Sequence, residues 1–118
     1  MRTLIIAKDK STMKAIGKIL RKAEIKEYTF ERRMEDAMDV IRDKEISLVI
    51  IDSLDIQNKD EREEKVRNLL YEMLFEEIFP QVIILTKEPL PEEYIPLEKC
   101  SYVETFMQLK SKISRIKQ

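Results

Sequence analysis

Ile46-Ser47-Leu48-Val49-Ile50-Ile51-Asp52 is apolar on both faces and then stops at a carboxylate. A strand buried on both sides belongs in the middle of a parallel sheet covered by helices, and in such sheets ligands sit at the carboxyl ends of the strands. Asp52 therefore stands where chemistry is expected. Working outward, Thr3–Ala7 is a second strand candidate that also ends in charge, at Lys8-Asp9. Asp9 and Asp52 together suggest an acidic pocket, which Lys8 complicates.

Between and after these strands the apolar period alternates between the two-residue and the helical repeat. Ser11 or Thr12 is positioned to cap a helix whose inward face carries Met13, Ile16, Leu20 and Ala23. Glu27–Phe30 reads as a short strand. Met34, Ala37, Met38 and Ile41 mark a second helix ending near Lys44. A charged turn, Asn58–Glu64, leads into a long helix through about Ile78, with Val66, Leu69, Leu70 and Met73 inward and Pro80 as its stop. Val82–Leu85 gives a fourth strand ending at Thr86, and Ser101–Val103 a fifth. Phe106, Leu109, Ile113 and Ile116 mark a closing helix. The lone Gly17 falls inside a helix. Pro89, Pro91 and Pro96 leave the Lys87–Lys99 stretch room for a turn or two of helix at most. Strands alternating with helices imply right-handed crossovers and a sheet with helices on both faces. The expectation is one domain, 1–118, of the α/β class.

The chain has 118 residues, 22 basic and 23 acidic, for a net charge of -1. That balance leaves no electrostatic footprint for nucleic acid. One cysteine, Cys100, allows no internal disulfide and favours a reducing compartment. No apolar stretch approaches the length of a membrane span, and the run after Met1 is too short for a signal peptide. The expected location is the cytoplasm, with no membrane partner. Abundant Glu, Lys and Ile lean toward a thermophile composition. The absence of histidine excludes cysteine–histidine catalysis and histidine-ligated metal.

The ordered set of strand ends resembles the receiver domains of response regulators, the CheY-like family, across the whole chain. Lys8-Asp9-Lys10-Ser11-Thr12-Met13-Lys14 is similar to the junction where two acidic residues precede the first helix. Leu48-Val49-Ile50-Ile51-Asp52 resembles the third strand with its phosphoacceptor aspartate, and Val82-Ile83-Ile84-Leu85-Thr86 the fourth strand with its switch threonine. Glu104-Thr105-Phe106 falls where the family has Lys-Pro-Phe. The resemblance implies a flavodoxin-like three-layer sandwich, a five-stranded parallel sheet in the order 2-1-3-4-5, with the fourth helix shortened or absent. It implies a signalling role rather than an enzyme, with protein partners: a histidine kinase or a downstream signalling protein. A homodimer is left open.

In that family the aspartate accepts a phosphoryl group while Mg²⁺ and a lysine neutralise the developing charge. Carried over by position, Asp52 is the phosphoacceptor candidate, Asp9 and Asp52 the remaining metal ligands, and Thr86 the switch residue. Lys8 replaces the first acidic position and Glu104 the lysine, both reversing charge. Ile56 and Asp60 replace a proline and a glycine. An ammonium in the metal's place opposes it by roughly 1 to 4 kcal/mol at about 4 Å near a surface. The pocket of Lys8, Asp9, Asp52, Thr86 and Glu104 thus reads as degenerate, with no cofactor expected, and Mg²⁺ only if Asp52 is still phosphorylated. One form of that reading pairs Lys8 with Asp52, Asp9 or Glu104 in a fixed ion-pair network. Plainer readings stand beside it: Asp52 as a loop cap, Asp9 as part of a helix start, Thr86 as structural, Lys8 and Glu104 in solvent. A gapless register puts Ser101 at the family's aromatic switch position, with Tyr102 facing the other way. An unrelated doubly wound enzyme is the weakest alternative, since no Gly-rich phosphate loop is present.

Overall fold

Residues 1–54, 56–89 and 99–117 are described in a computed structural model of the chain. In chain order they form β1 (Thr3–Ile6), α1 (Lys10–Lys22), β2 (Tyr28–Glu31), α2 (Ala37–Asp43, entered through a 3-10 turn at Met34–Asp36), β3 (Leu48–Asp52), α3 (Lys59–Phe75), β4 (Gln81–Leu85), β5 (Cys100–Val103) and α4 (Phe106–Lys117). All five strands are parallel, in the order β2-β1-β3-β4-β5. The flavodoxin-like, CheY-like sandwich expected from the sequence is therefore what forms. The expected shortening of a fourth helix falls largely on residues 90–98, which lie outside the described residues.

The pleat explains why the strands are apolar throughout. Leu4, Ile6, Val49, Ile51, Val82 and Ile84 face α2 and α3, where they meet Met38, Ile41, Leu70 and Met73. Ile5, Ile50, Ile83 and Leu85 face the opposite layer and meet Ile16 and Leu20 of α1 and Leu109 and Ile113 of α4. Each central side chain is enclosed by a helix whichever way it points, so no polar alternation survives. The lone glycine, Gly17, lies where α1 approaches the Tyr28 ring. A Cβ there would stand 3.3 Å from Cε2 of Tyr28.

Boundaries differ from the sequence expectation for local reasons. The cap of α1 is Asp9, ahead of both Ser11 and Thr12, because its carboxylate accepts the Ser11 N–H at 3.1 Å. β2 runs one residue later than Glu27–Phe30. Ile46 does not begin β3. It terminates α2, its N–H reaching back to the Ile41 carbonyl at 3.3 Å. α3 stops at Phe75, before both Ile78 and Pro80, since the Ile78 N–H returns to the Met73 carbonyl at 2.9 Å. Phe106, expected inward, is 41% exposed at the first turn of α4.

Three helices end in the same way. Glu24, Glu45 and Glu77 adopt φ of 64°, 51° and 58°, and each is followed by isoleucine: Ile25, Ile46 and Ile78. The isoleucine N–H bonds to the carbonyl five residues back, on Leu20, Ile41 and Met73 respectively, and its side chain packs on the adjoining core. This is the Schellman closure, which usually carries glycine at the left-handed position. Here glutamate occupies it three times.

Candidate functional site

β3 delivers Asp52 to the carboxyl edge of the sheet, opposite Leu85 of β4 in the register. Its side chain is almost wholly buried, and Oδ1 accepts the Leu54 N–H at 3.0 Å. That bond turns the chain sharply after the strand and fixes the carboxylate. The following residue, Ser53, donates both its backbone N–H (3.1 Å) and its hydroxyl (2.8 Å) to the Leu85 carbonyl oxygen. The end of β3 is thereby tied to the end of β4, just before Thr86.

Thr86 is buried, its backbone N–H donating to the Val103 carbonyl at 2.9 Å. Its hydroxyl is engaged locally: it donates to the Glu88 carbonyl at 3.1 Å and accepts the Glu88 N–H at 3.2 Å. Asp9 is turned to its own helix, its two carboxylate oxygens taking the Ser11 N–H and the Ser11 hydroxyl (2.9 Å). Glu104 is exposed, and its backbone N–H is held by the Gln108 side chain at 2.6 Å.

A cleft of about 830 Å³ opens over the carboxyl ends of β1, β2 and β3. Asp52 and Lys8 line it together; Asp9, Thr86 and Glu104 are not among its lining residues. The expected ion-pair network does not form. Among the described residues Lys8 makes no ion pair with Asp52, Asp9 or Glu104. Asp9 is already committed to Ser11, and Glu104 lies beyond the cleft, so the two charge reversals do not compensate each other by contact.

The cleft also contains residues that the motif comparison did not single out. Arg32 and Arg33 follow β2 directly, and Glu35, Glu61 and Lys65 form the opposite wall. Arg33 lies 3.8 Å from Glu35 and 3.7 Å from Asp36, while Lys65 bridges Glu35 and Glu61 at 3.3 Å each. A backbone N–H, with Lys65 and Arg33 beside it, holds the Glu35 carboxyl below its ordinary range. Lys65 is raised by its hydrogen bonds to Glu61 and Glu35. The rule that placed Asp52 at a strand's carboxyl end applies equally to β2, and would have found Arg32.

The donor set does not suit a divalent cation. Among the described residues no three Asp, Glu or Cys side chains converge in a way that could hold a metal ion. Of the two expected ligands, Asp9 is outside the cleft lining, and an ammonium shares the cleft with Asp52. Magnesium needs a nearly regular oxygen shell, which one strand-end carboxylate beside a lysine does not supply.

On the register side, Tyr102 pairs with Ile84 and packs with the α2/α3 core. Ser101 alternates to the other face, its hydroxyl directed at the Val82 carbonyl at 3.5 Å.

No family model matches the sequence, and no curated protein matches it. Solved structures do. HP1043, an orphan response regulator of H. pylori, superposes with a TM-score of 0.71 at 16% identity, over 99% of this chain and 93% of that one. The fold is that of receiver domains. The pseudo-receiver domain of the CikA protein gives a TM-score of 0.65 at 10% identity, over 94% and 93% of the two chains. The receiver domain of Ssk1 from Saccharomyces cerevisiae, solved with the histidine phosphotransfer protein Ypd1, gives 0.62 at 17% identity, over 97% and 86%. Identities this low establish shared architecture and leave function to the site.

Proposed function

We propose that this chain is a receiver-type signalling module of the two-component class that works through protein contact, with a phosphorylation pocket no longer equipped for metal-assisted transfer. The observation that carries this reading is that Asp52 shares one cleft with Lys8 while Asp9 is turned away to Ser11. A phosphoryl group reaching a carboxylate needs cations on both sides of the developing charge. Here Lys8 replaces an acidic metal ligand, and by sequence position Glu104 replaces the second cation. The Ssk1 receiver domain was solved with a phosphotransfer protein, and a protein partner of that kind is the reading adopted for this chain.

A second reading keeps Asp52 as a working phosphoacceptor in a phosphorelay. It is favoured by one arrangement: Asp52 and Thr86 close adjacent strands, linked through Ser53 and Leu85.

Incubating the chain with acetyl phosphate or beryllofluoride plus Mg²⁺, and following intact mass and amide shifts, separates the two. The proposal expects no modification, with metal response appearing only in Lys8→Asp combined with Glu104→Lys. Modification at Asp52 of the unaltered chain overturns it in favour of the phosphorelay.

A further inference from the structure

The cleft has a cation surplus that its own carboxylates do not consume. Arg33 and Lys65 are engaged by Glu35, Asp36 and Glu61. Asp52 is only 6% exposed and spends one oxygen on the Leu54 N–H. Lys8 and Arg32 have no such partner: among the described residues neither makes an ion pair. Both are exposed and both line the cleft.

Their presence in one cleft follows from the sheet. β1 and β2 are in parallel register up to Ile6 opposite Glu31, and the Ala7 N–H continues the ladder to the Glu31 carbonyl at 3.1 Å. Lys8 and Arg32 are the residues that emerge immediately past this last rung. Neighbouring parallel strands are about 4.7–4.9 Å apart, and Lys8 and Arg32, one register step apart past the ends of β1 and β2, both line the cleft. The least exposed lining residues, its floor, are the apolar Ile6, Ala7 and Met34 with the Asp52 carboxylate among them, and Ile56 packs on the same core.

We propose that this cleft binds a small organic phosphate non-covalently and without metal, Lys8 and Arg32 holding the phosphate and the apolar floor receiving the organic body. The planar guanidinium grips two phosphate oxygens and the ammonium supplies a point charge to the third. A volume of about 830 Å³ accommodates far more than an inorganic ion and lies within the range of small-molecule sites. The proposal rests on the reading of Asp52 as unphosphorylated, because a phosphoryl group there fills the same space.

The test is a Mg²⁺-free titration at low salt with inorganic phosphate and, separately, with adenosine monophosphate, read by amide shifts at Ala7, Lys8, Arg32 and Gln57. Saturable binding is expected, tighter for the nucleotide, and weakened roughly tenfold by Lys8→Ala or Arg32→Ala. Lys44→Ala, at the opposite edge of the sheet, should leave it unchanged. Shifts that do not saturate, or that survive the double Lys8→Ala, Arg32→Ala variant, overturn the site. Equal affinity for the two probes overturns the assignment of the apolar floor to the ligand. Failure here is distinguishable from failure of the proposed function. Covalent mass gain at Asp52 with a phosphodonor counts against the latter, whereas absent mass gain with absent phosphate binding counts against this site alone.

Discussion

The hydroxyl of Ser53 donates to the carbonyl oxygen of Leu85 at 2.8 Å, in a part of the sheet edge from which water is excluded. The same oxygen takes the Ser53 N–H, so one acceptor anchors the whole turn that follows Asp52. Ser53→Ala should therefore destabilise the chain by about 1 kcal/mol, the usual net worth of a buried neutral hydrogen bond. Urea unfolding reads this directly. A midpoint unchanged from the parent would mean that the hydroxyl does not close the turn.

Glutamate at three left-handed helix ends is a reservoir of stability. An L-residue there carries a backbone penalty of about 1–2 kcal/mol, of which glycine's extra freedom in the unfolded chain takes back about 0.4–1. The glutamate charge also sits at the negative end of each helix dipole. Glu24→Gly, Glu45→Gly and Glu77→Gly should each stabilise by about 0.5–1 kcal/mol and add nearly independently. Thermal unfolding of the three single variants and the triple one checks this, and a loss in any of them contradicts the φ values of 64°, 51° and 58°.

α3 offers an internal comparison of its two faces. Leu70 is fully buried against the sheet, whereas Leu74, one turn later, is 39% exposed. Leu70→Ala should cost about 3 kcal/mol through lost burial and the cavity left behind. Leu74→Ala should stay within about 1 kcal/mol. Equal losses would mean that the helix is rotated from the orientation described.

Burial pushes the Cys100 thiol up to about 11 from the usual 9.0. Because the thiolate is the reactive form, iodoacetamide should label the folded chain slowly at pH 8 and much faster once it is unfolded in urea. The sign for stability follows from the same shift. The folded state holds the proton more tightly, so this contribution is complete below pH 9 and is lost as pH rises toward 11. Fast labelling of the native chain at pH 8 would contradict the burial.

The sheet was legible because Leu48–Ile51 and Val82–Leu85 have no polar alternation, and only strands enclosed by helices on both sides tolerate that. Helix ends were less legible. Glutamate is not a conventional stop signal, although three Glu-Ile pairs at helix ends are a pattern the sequence does carry. Phe106 followed the helical repeat and still faces solvent, in the first turn of α4 ahead of the buried Leu109 and Ile113.

By itself the sequence determined which residues reach the sheet's carboxyl edge: Asp52, Thr86 and the Lys8-Asp9 pair. A strand's end is a local property, set by where its apolar run stops. What those side chains do there was decided partly by local turns and partly by tertiary structure. Asp9 is captured two residues on by Ser11 and Thr86 by Glu88, both local turns, whereas Lys8 is left in a cleft with Arg32, which follows a different strand. Which cations share that cleft depends on which strand lies next to which, and that is fixed by the order β2-β1-β3-β4-β5 rather than by any spacing along the chain.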